Sequence, residues 1–221
     1  MKRSRILIAD DHLLFADLCK RLLDTEHEVV GIVRDGRELL RAAAELKPEL
    51  IILEIAMPVL NGLDAGEKLK QKLPTAKLLY LTMISDPAVA AEAIWRGASG
   101  YLLKTCACSE VRAAIRSVLR GGRYISSVLP KPVVDSALWE RKKPAERPHQ
   151  LTMRQREVLQ LLAEGKAMKN IADILHMSTR TVAFHKYRAM SHLGIRSNAE
   201  LIRHAIKLHL VEESETGAAS E

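Results

Sequence analysis

The sequence predicts two domains of different class: an α/β domain on a five-stranded parallel sheet, then a small all-α domain of four helices. Three observations lead there. Up to about residue 121, short apolar runs alternate with amphipathic stretches of helical period. From Thr152 onward only helical period and helix-capping residues recur. The charge also changes: residues 1–121 carry 18 Lys/Arg against 16 Asp/Glu, whereas 151–210 carry 10 against 4. A nearly neutral domain followed by a basic one implies two different tasks, and a small basic domain is a nucleic-acid candidate.

The expected strands are Ile6-Leu7-Ile8, Val29 to Val33, Leu50 to Leu53, Lys77 to Leu81 and Tyr101 to Leu103. Between them Leu13 to Leu23, Glu38 to Leu46, Ala88 to Trp95 and Val111 to Leu119 have helical spacing, and five strands with five helices fit the available length. Strands alternating with helices make βαβ units, and such sheets collect their chemistry at the carboxyl ends of the strands. Asp10 and Asp11 follow the first strand, Glu54 the third, Thr82 ends the fourth and Lys104 follows the fifth. Three carboxylates in one crevice repel one another unless a cation neutralises them. Oxygen-only ligands suit Mg²⁺, so Asp10, Asp11 and Glu54 are the candidate metal ligands. A hydroxyl and an ammonium beside them suit an added phosphoryl group.

Composition narrows the class. With 48% apolar and 28% charged residues the chain is not mostly disordered, and with 4% aromatics its core rests on Leu, Ile, Val and Ala. No uncharged apolar run approaches the roughly 18 residues of a membrane span. The start, MKRSRILIADDH, is too short in apolar residues for a secretory segment, so a cytoplasmic location is expected. Cys19, Cys106 and Cys108 are too few and too unevenly spaced for a disulfide framework or a closed metal site.

Residues 122–147 are expected to be a linker. The stretch has Pro130, Pro132 and Pro144, followed by Pro148, and a basic run Arg141-Lys142-Lys143. A short helix around Val133 to Arg141 is compatible with it. The acidic end, 214–221, is expected to be a disordered tail.

The second domain, 148–213, opens on a capping box, Thr152 with Gln155, before Val158, Leu159 and Leu162. Gly165 supplies a stop. Two helices, 168–175 and 178–193, are joined by a turn at His176-Met177, the spacing of a helix-turn-helix. Ser178 caps the longer one and Gly194 ends it; Ser197 and Glu200 form a second capping box for a fourth helix through Leu201, Ile202 and Ala205. On the longer helix Val182, Ala189, Met190 and Leu193 share the core side. Arg180, Ala183, Phe184 and Tyr187 form an outward stripe. Aromatic side chains on an outward face need something to meet. Either Phe184 completes a core or an interface, or the stripe enters a major groove, where apolar groups touch thymine methyls. Lys169, Lys186 and Arg188 are placed to reach phosphates.

At these residues the sequence resembles a two-component response regulator of the NarL/FixJ (LuxR-type) class. The carriers in the first half are ILIADDH (6–12), MPVLNGLDA (57–65), LLYLT (78–82) and GASGYLLK (97–104). In the second half they are LTMRQREVLQLLAEGK (151–166), IADILHMSTRTVAFHKYRAMSHLGI (171–195) and AELIRHAI (199–206). The resemblance covers nearly the whole chain. It implies a flavodoxin-like receiver with a Mg²⁺ site, phosphorylation by a histidine kinase, a LuxR-type four-helix DNA-binding domain, and a homodimer on double-stranded DNA. Asp10 and Asp11 match the family's acidic pair, Thr82 and Tyr101 its switch hydroxyl and aromatic, and Lys104 its phosphate-sensing lysine. Thr181, Val182 and His185 match its T-V-x-x-H signature, which adds Thr181 to the DNA-facing set and makes His185 a phosphate or helix-helix contact. Ala167 stands where serine is usual, so a helix cap is lost, and His192 stands where lysine is common.

One residue departs at the heart of the receiver: Glu54 occupies the phospho-acceptor position, where the family has aspartate. The extra methylene displaces the carboxylate by roughly 1.5 Å. In-line phosphoryl transfer needs the nucleophile within about 3–3.5 Å, so a displacement of that order costs much rate. The receiver is then phosphate-blind, a mimic of the phosphorylated state, or a slow acceptor. As a mimic it is imperfect, since a phosphoryl group adds about −1.5 to −2 charge and three acceptor oxygens.

The function read from the sequence is a transcription regulator whose receiver controls dimerisation and helix-turn-helix binding to promoter DNA, and not an enzyme. A haloacid-dehalogenase-like enzyme requires aspartates where this chain has Glu54 and Ala56. The alternative is a phosphorylation-independent signalling adaptor that acts by protein contact.

Overall fold

The structure is a computed structural model that describes residues 3–142 and 151–211; Lys143, the prolines at 144 and 148, and the acidic end at 214–221 lie outside the described residues. These residues fall into two compact units, each described by itself.

The first unit runs β1 (Arg5–Ala9), α1 (Leu13–Leu23), β2 (Glu28–Val33), α2 (Gly36–Leu46), β3 (Leu50–Leu53), α3 (Gly62–Lys72), β4 (Lys77–Thr82), α4 (Pro87–Trp95), β5 (Gly100–Leu103), α5 (Cys108–Leu119), β6 (Tyr124–Ile125) and α6 (Lys131–Lys142). All strands are parallel, in the order β2-β1-β3-β4-β5-β6. The chain steps outward from β1 to β2, then returns past β1 to β3, so the switch in direction lies between β1 and β3.

The strands read as unbroken apolar runs because both faces of the sheet are covered. Side chains alternate between two cores. Leu7, Ala9, Ile51, Leu53, Leu78, Tyr80 and Tyr101 enter one, with Leu39 and Ala43 of α2, Leu63 of α3, Val89 and Ile94 of α4, and Val134 of α6. Ile6, Ile8, Leu50, Ile52, Leu79, Leu81 and Leu102 enter the other, with Ala16 and Cys19 of α1 and Val111, Ile115 and Val118 of α5. Asp35, Asn61 and Asp86 cap α2, α3 and α4, each accepting backbone N–H bonds.

Two expectations are corrected. The sheet has six strands, not five: β6 is only Tyr124–Ile125, paired with Gly100 and Tyr101, too short for its period to show. The stretch expected to be linker, 122–147, is therefore part of the α/β unit through Lys142. Leu129 and Val134 are buried there, and Ala137 and Leu138 pack against the same core. Two prolines near the start of α6 hide this, because proline is tolerated in the first turn of a helix. Helix α3, to which apolar spacing assigns no segment, is announced instead by its cap, Asn61.

The second unit is α7 (Met153–Ala163), α8 (Met168–Leu175), α9 (Thr179–Leu193) and α10 (Asn198–Lys207). Both capping boxes form. Ser178 caps α9 on Thr181 N–H, His176 ends α8 and Gly194 ends α9 in left-handed conformation, and Ala167 gives α8 no side-chain cap. Leu159, Ile195, Leu201, Ala205 and Leu210 are buried together, with Met190 and Leu193 packed on them. Among the described residues, no helix is long and apolar enough to cross a membrane.

Gly62 fixes how α3 meets the end of β3. A Cβ there would stand 2.0 Å from the Glu54 carbonyl oxygen and 2.9 Å from Ile55 Cα, and Gly62 N–H donates to the Ile55 carbonyl at 2.8 Å. Backbone cannot yield as a flexible side chain does. Gly62→Ala is expected to destabilise the unit by about 3 kcal/mol, the upper range for overpacking. Thermal denaturation against the native chain measures it, and an unchanged midpoint contradicts it.

Candidate functional site

Three backbone hydrogen bonds extend the parallel ladder one residue past the strands. Asp10 N–H donates to Val33 O at 3.0 Å, Glu54 N–H to Ala9 O at 2.9 Å and Lys104 N–H to Thr82 O at 2.8 Å. The sheet thus brings the acidic, basic and hydroxyl residues of the strand ends to one crevice beside the switch point.

The side chains meet on Lys104. Its ammonium lies 2.8 Å from Asp10 Oδ2 and 2.9 Å from Glu54 Oε2, with all three side chains buried. It also stands 4.6 Å over the Phe15 ring, a cation–π contact from α1. Burial works against the lysine's charge, yet Glu54, and then hydrogen bonds to Asp10 and Glu54, outweigh it and hold its pKa above the ordinary value. The remaining carboxylate oxygens turn to the backbone. Asp10 Oδ1 accepts from His12 N–H at 2.9 Å, and Glu54 Oε1 accepts from the N–H groups of Ile55 at 2.6 Å and Ala56 at 3.3 Å. The longer side chain is therefore not aimed outward. One oxygen reaches the lysine and the other folds onto the loop that follows β3.

Asp11 is placed differently. Its Oδ1 is shielded from solvent and accepts no hydrogen bond; His12 Nδ1 lies 3.2 Å away, an ion pair only when the imidazole is protonated. Ligand atoms of Asp10, Asp11 and His12 lie within 4.8 Å of one another. The sequence places His12 in the motif but gives it no role. Asp10, Asp11 and Glu54 carry three negative charges against one on Lys104, which leaves an excess matching a divalent cation. The unpartnered oxygen and the hard donors fit Mg²⁺ at Asp10 and Asp11. Asp10 and Glu54 each have both oxygens on Lys104 or on backbone N–H groups, so of the three carboxylates named from the sequence it is Asp11 whose Oδ1 stands open to the ion. Bound there, Mg²⁺ supplies positive charge for anionic oxygens.

Thr82 and Tyr101 are both fully buried. Thr82 Oγ1 accepts from Ile84 N–H at 3.3 Å, and the Tyr101 hydroxyl donates to the Ile84 carbonyl at 2.7 Å. Thr82 and Tyr101 thus hold one loop residue, Ile84, from two sides, a contact the sequence does not disclose. Burial, and then the negative charge of Glu54, push the Tyr101 pKa well above its ordinary range, so it remains a donor.

In the second unit, Val182 and Ala189 of α9 are buried, whereas Phe184 is 59% and Tyr187 62% exposed. Phe184 does not complete the core of this unit. Lys169, Arg180 and Arg188 are exposed, and Thr181, Ala183 and Lys186 are half-buried. Lys186 Nζ lies 5.7 Å over the Tyr187 ring, and the Phe184 and His185 rings meet edge-on at 5.5 Å. The result is an aromatic stripe flanked by cations on the second helix of a helix-turn-helix.

An α/β unit with an acidic crevice at its switch point, followed by such a helical unit, defines a two-domain regulator that binds DNA. Residues 6–116 match the response regulator receiver domain, and residues 149–205 match the bacterial regulatory proteins of the luxR family. The chain is 33% identical over 213 residues to the transcriptional regulatory protein MctR of Rhizobium johnstonii, covering 96% of this chain and 97% of that one. It is 32% identical over 215 residues to the oxygen regulatory protein NreC of Staphylococcus aureus, covering 94% and 99%. Among solved structures it is similar to the RcsB response regulator of Salmonella typhimurium, with a TM-score of 0.63 at 26% identity over 94% of this chain and 99% of that one. A structure of two RcsB dimers bound to two parallel DNAs gives 0.55 at 25% identity, over 92% and 98%. The chain belongs to the response regulators with a luxR-family domain, and is a DNA-binding transcription regulator of that family.

Removing the ammonium would leave two buried carboxylates facing each other. Lys104→Met is expected to cost about 3–5 kcal/mol, the range for breaking a buried pair from one side. Glu54→Gln in the Lys104→Met background should recover part of it, as urea denaturation can show. Because the Lys104 pKa is raised, its contribution is complete below the ordinary 10.5 and is lost only as pH rises through the higher folded value.

Proposed function

We propose that this transcription regulator binds promoter DNA as a homodimer and does so without phosphorylation at residue 54. The observation that carries the reading is the ammonium of Lys104 held between Asp10 and Glu54 at 2.8 and 2.9 Å. In a receiver this lysine is the group available to a phosphoryl oxygen; here a carboxylate of the chain already occupies it. Glu54 is a poor nucleophile for the same reason, because one oxygen is on the lysine and the other on the N–H of Ile55. A histidine kinase then has no acceptor at this position, and the pocket acts as a closed ionic latch. Between a blind receiver and a mimic, the geometry favours the blind one. Thr82 takes its hydrogen bond from Ile84 N–H, and the charge of Glu54 is spent on Lys104.

The homodimer rests on α1 and on the family. Leu14 is 77% and Leu18 56% exposed, one turn apart on the same helix. A second copy covers such a pair economically, and two linked domains raise affinity for paired half-sites through effective concentration. The adaptor alternative leaves the cationic, aromatic face of α9 without a use.

Two outcomes test this. Incubation with acetyl phosphate and Mg²⁺ is expected to leave the intact mass and the DNA affinity of the native chain unchanged, whereas Glu54→Asp should gain one phosphoryl group. A stable mass gain on the native chain ends the phosphate-blind reading. Binding to duplex DNA, followed by anisotropy, should weaken steeply as salt rises. Lys169→Ala should weaken all duplexes alike and reduce the log–log slope by about one, whereas Arg180→Ala should change the ranking of sequences. Salt-independent binding would count against DNA as the target.

A further inference from the structure

We propose that α9 selects its half-site by reading thymine 5-methyl groups, with Ala183 and Phe184 as the reading residues and Tyr187 extending the same surface; this rests on the DNA-binding reading above. The chain has only two phenylalanines and four tyrosines, so aromatic side chains are scarce. One of each stands on the outward stripe of α9, more than half exposed, while Val182 and Ala189 supply the packing on the buried side. The ring contacts of both lie on α9 itself. Phe184 touches the imidazole of its own neighbour, and the Tyr187 ring carries the Lys186 ammonium over one face. That places cations beside the stripe and leaves its middle apolar.

The stripe is poor in hydrogen-bonding groups. Arg180 begins it and the Tyr187 hydroxyl ends it, while Ala183 and Phe184 between them offer none. From residue 180 to 187 a helix rises roughly 10 Å, or about three base-pair steps at 3.4 Å each. Within that span each base edge in the major groove is polar, except that thymine adds a methyl group. Cytosine's amino group, or the acceptors of guanine, would lose water against Ala183 or Phe184 and gain no partner, which is unfavourable. A thymine methyl gains apolar contact at the same place. Selection thus comes from both sides, attraction of the methyl and rejection of unsatisfied polar edges. Arg180, with its paired donors, suits a guanine at the edge of the run.

The test uses the full chain. Duplexes are enriched from a random pool by binding, and the enriched sequences are remade with deoxyuridine for thymine, which removes only the methyl group. Thymine should recur in the enriched half-sites. Each contacted methyl removed should weaken binding about fourfold, the factor for one buried methylene. Phe184→Ala, truncated at an exposed position, should keep the native circular dichroism and melting while separating thymine from deoxyuridine duplexes by a smaller factor than the native chain does. Enriched sites without recurring thymine overturn the proposal, as does an unchanged affinity for the deoxyuridine duplexes. So does a Phe184→Ala chain that discriminates as the native chain does. Failure to bind any duplex is a different result: it removes the DNA-binding reading itself, and this proposal with it.

Discussion

The ammonium of Lys104 between two buried carboxylates is the constraint on which the receiver's geometry depends. Taking three ions out of water costs several kcal/mol for each, and their attraction repays this only when geometry is good and the leftover lone pairs are satisfied. Both conditions hold. The contacts are 2.8 and 2.9 Å, and the remaining oxygens of Asp10 and Glu54 accept backbone N–H bonds. The parallel ladder supplies the alignment, because it pins the backbones of Asp10, Glu54 and Lys104 before any side chain is placed. Sites on rigid elements are the ones that hold such tolerances. Glu54 exploits its additional methylene within this frame, bridging from the lysine back to the N–H of Ile55.

The two units use charge in opposite ways. In the receiver's crevice, charge is buried, paired and insulated from salt, so its effects are local and persistent. In the helical unit the charges of Lys169, Arg180 and Arg188 are exposed, and charges of that kind act through release of counterions and are screened. A regulator that joins the two can keep an internal arrangement constant across conditions that tune its affinity for DNA.

Much of this was legible in the residues themselves. Short unbroken apolar runs located five of the strands and period-3.6 patterns most of the helices, and the capping residues at Thr152, Ser178 and Ser197 located the helical unit. The crevice residues were legible because the switch-point rule says where strand ends matter. What stayed hidden had physical causes. Tyr124–Ile125 is too short to carry a period, and the helix from Lys131 opens on proline. Val59 adopts a left-handed backbone, φ 68°, which a β-branched residue disfavours and no local pattern announces. Glu54 was recognisable as a departure, but its partners depend on distances across the crevice. The clasp of Arg96 on Asp64 and Glu67, which ties the end of α4 to α3, joins residues far apart in sequence and has no local signature; its third partner, Glu92, stands one turn back on α4.

Tyr101 shows how the hidden segment and the crevice belong to one mechanical system. Its hydroxyl donates to Ile84, which also binds Thr82, so one end of the side chain is tied to the loop after β4. Its carbonyl accepts the N–H of Ser126 at 2.8 Å, and its ring shares a core with Leu129 and Val134. The Ser126 hydroxyl and the Ser127 N–H both reach Glu110 at the start of α5, which holds the turn after β6 from its other side. An outward rotation of the Tyr101 ring would therefore have to surrender a buried hydrogen bond and open the packing under α6 at the same time. Each loss alone is worth on the order of 1–3 kcal/mol. The ring's inward position is then the state that these contacts select by themselves.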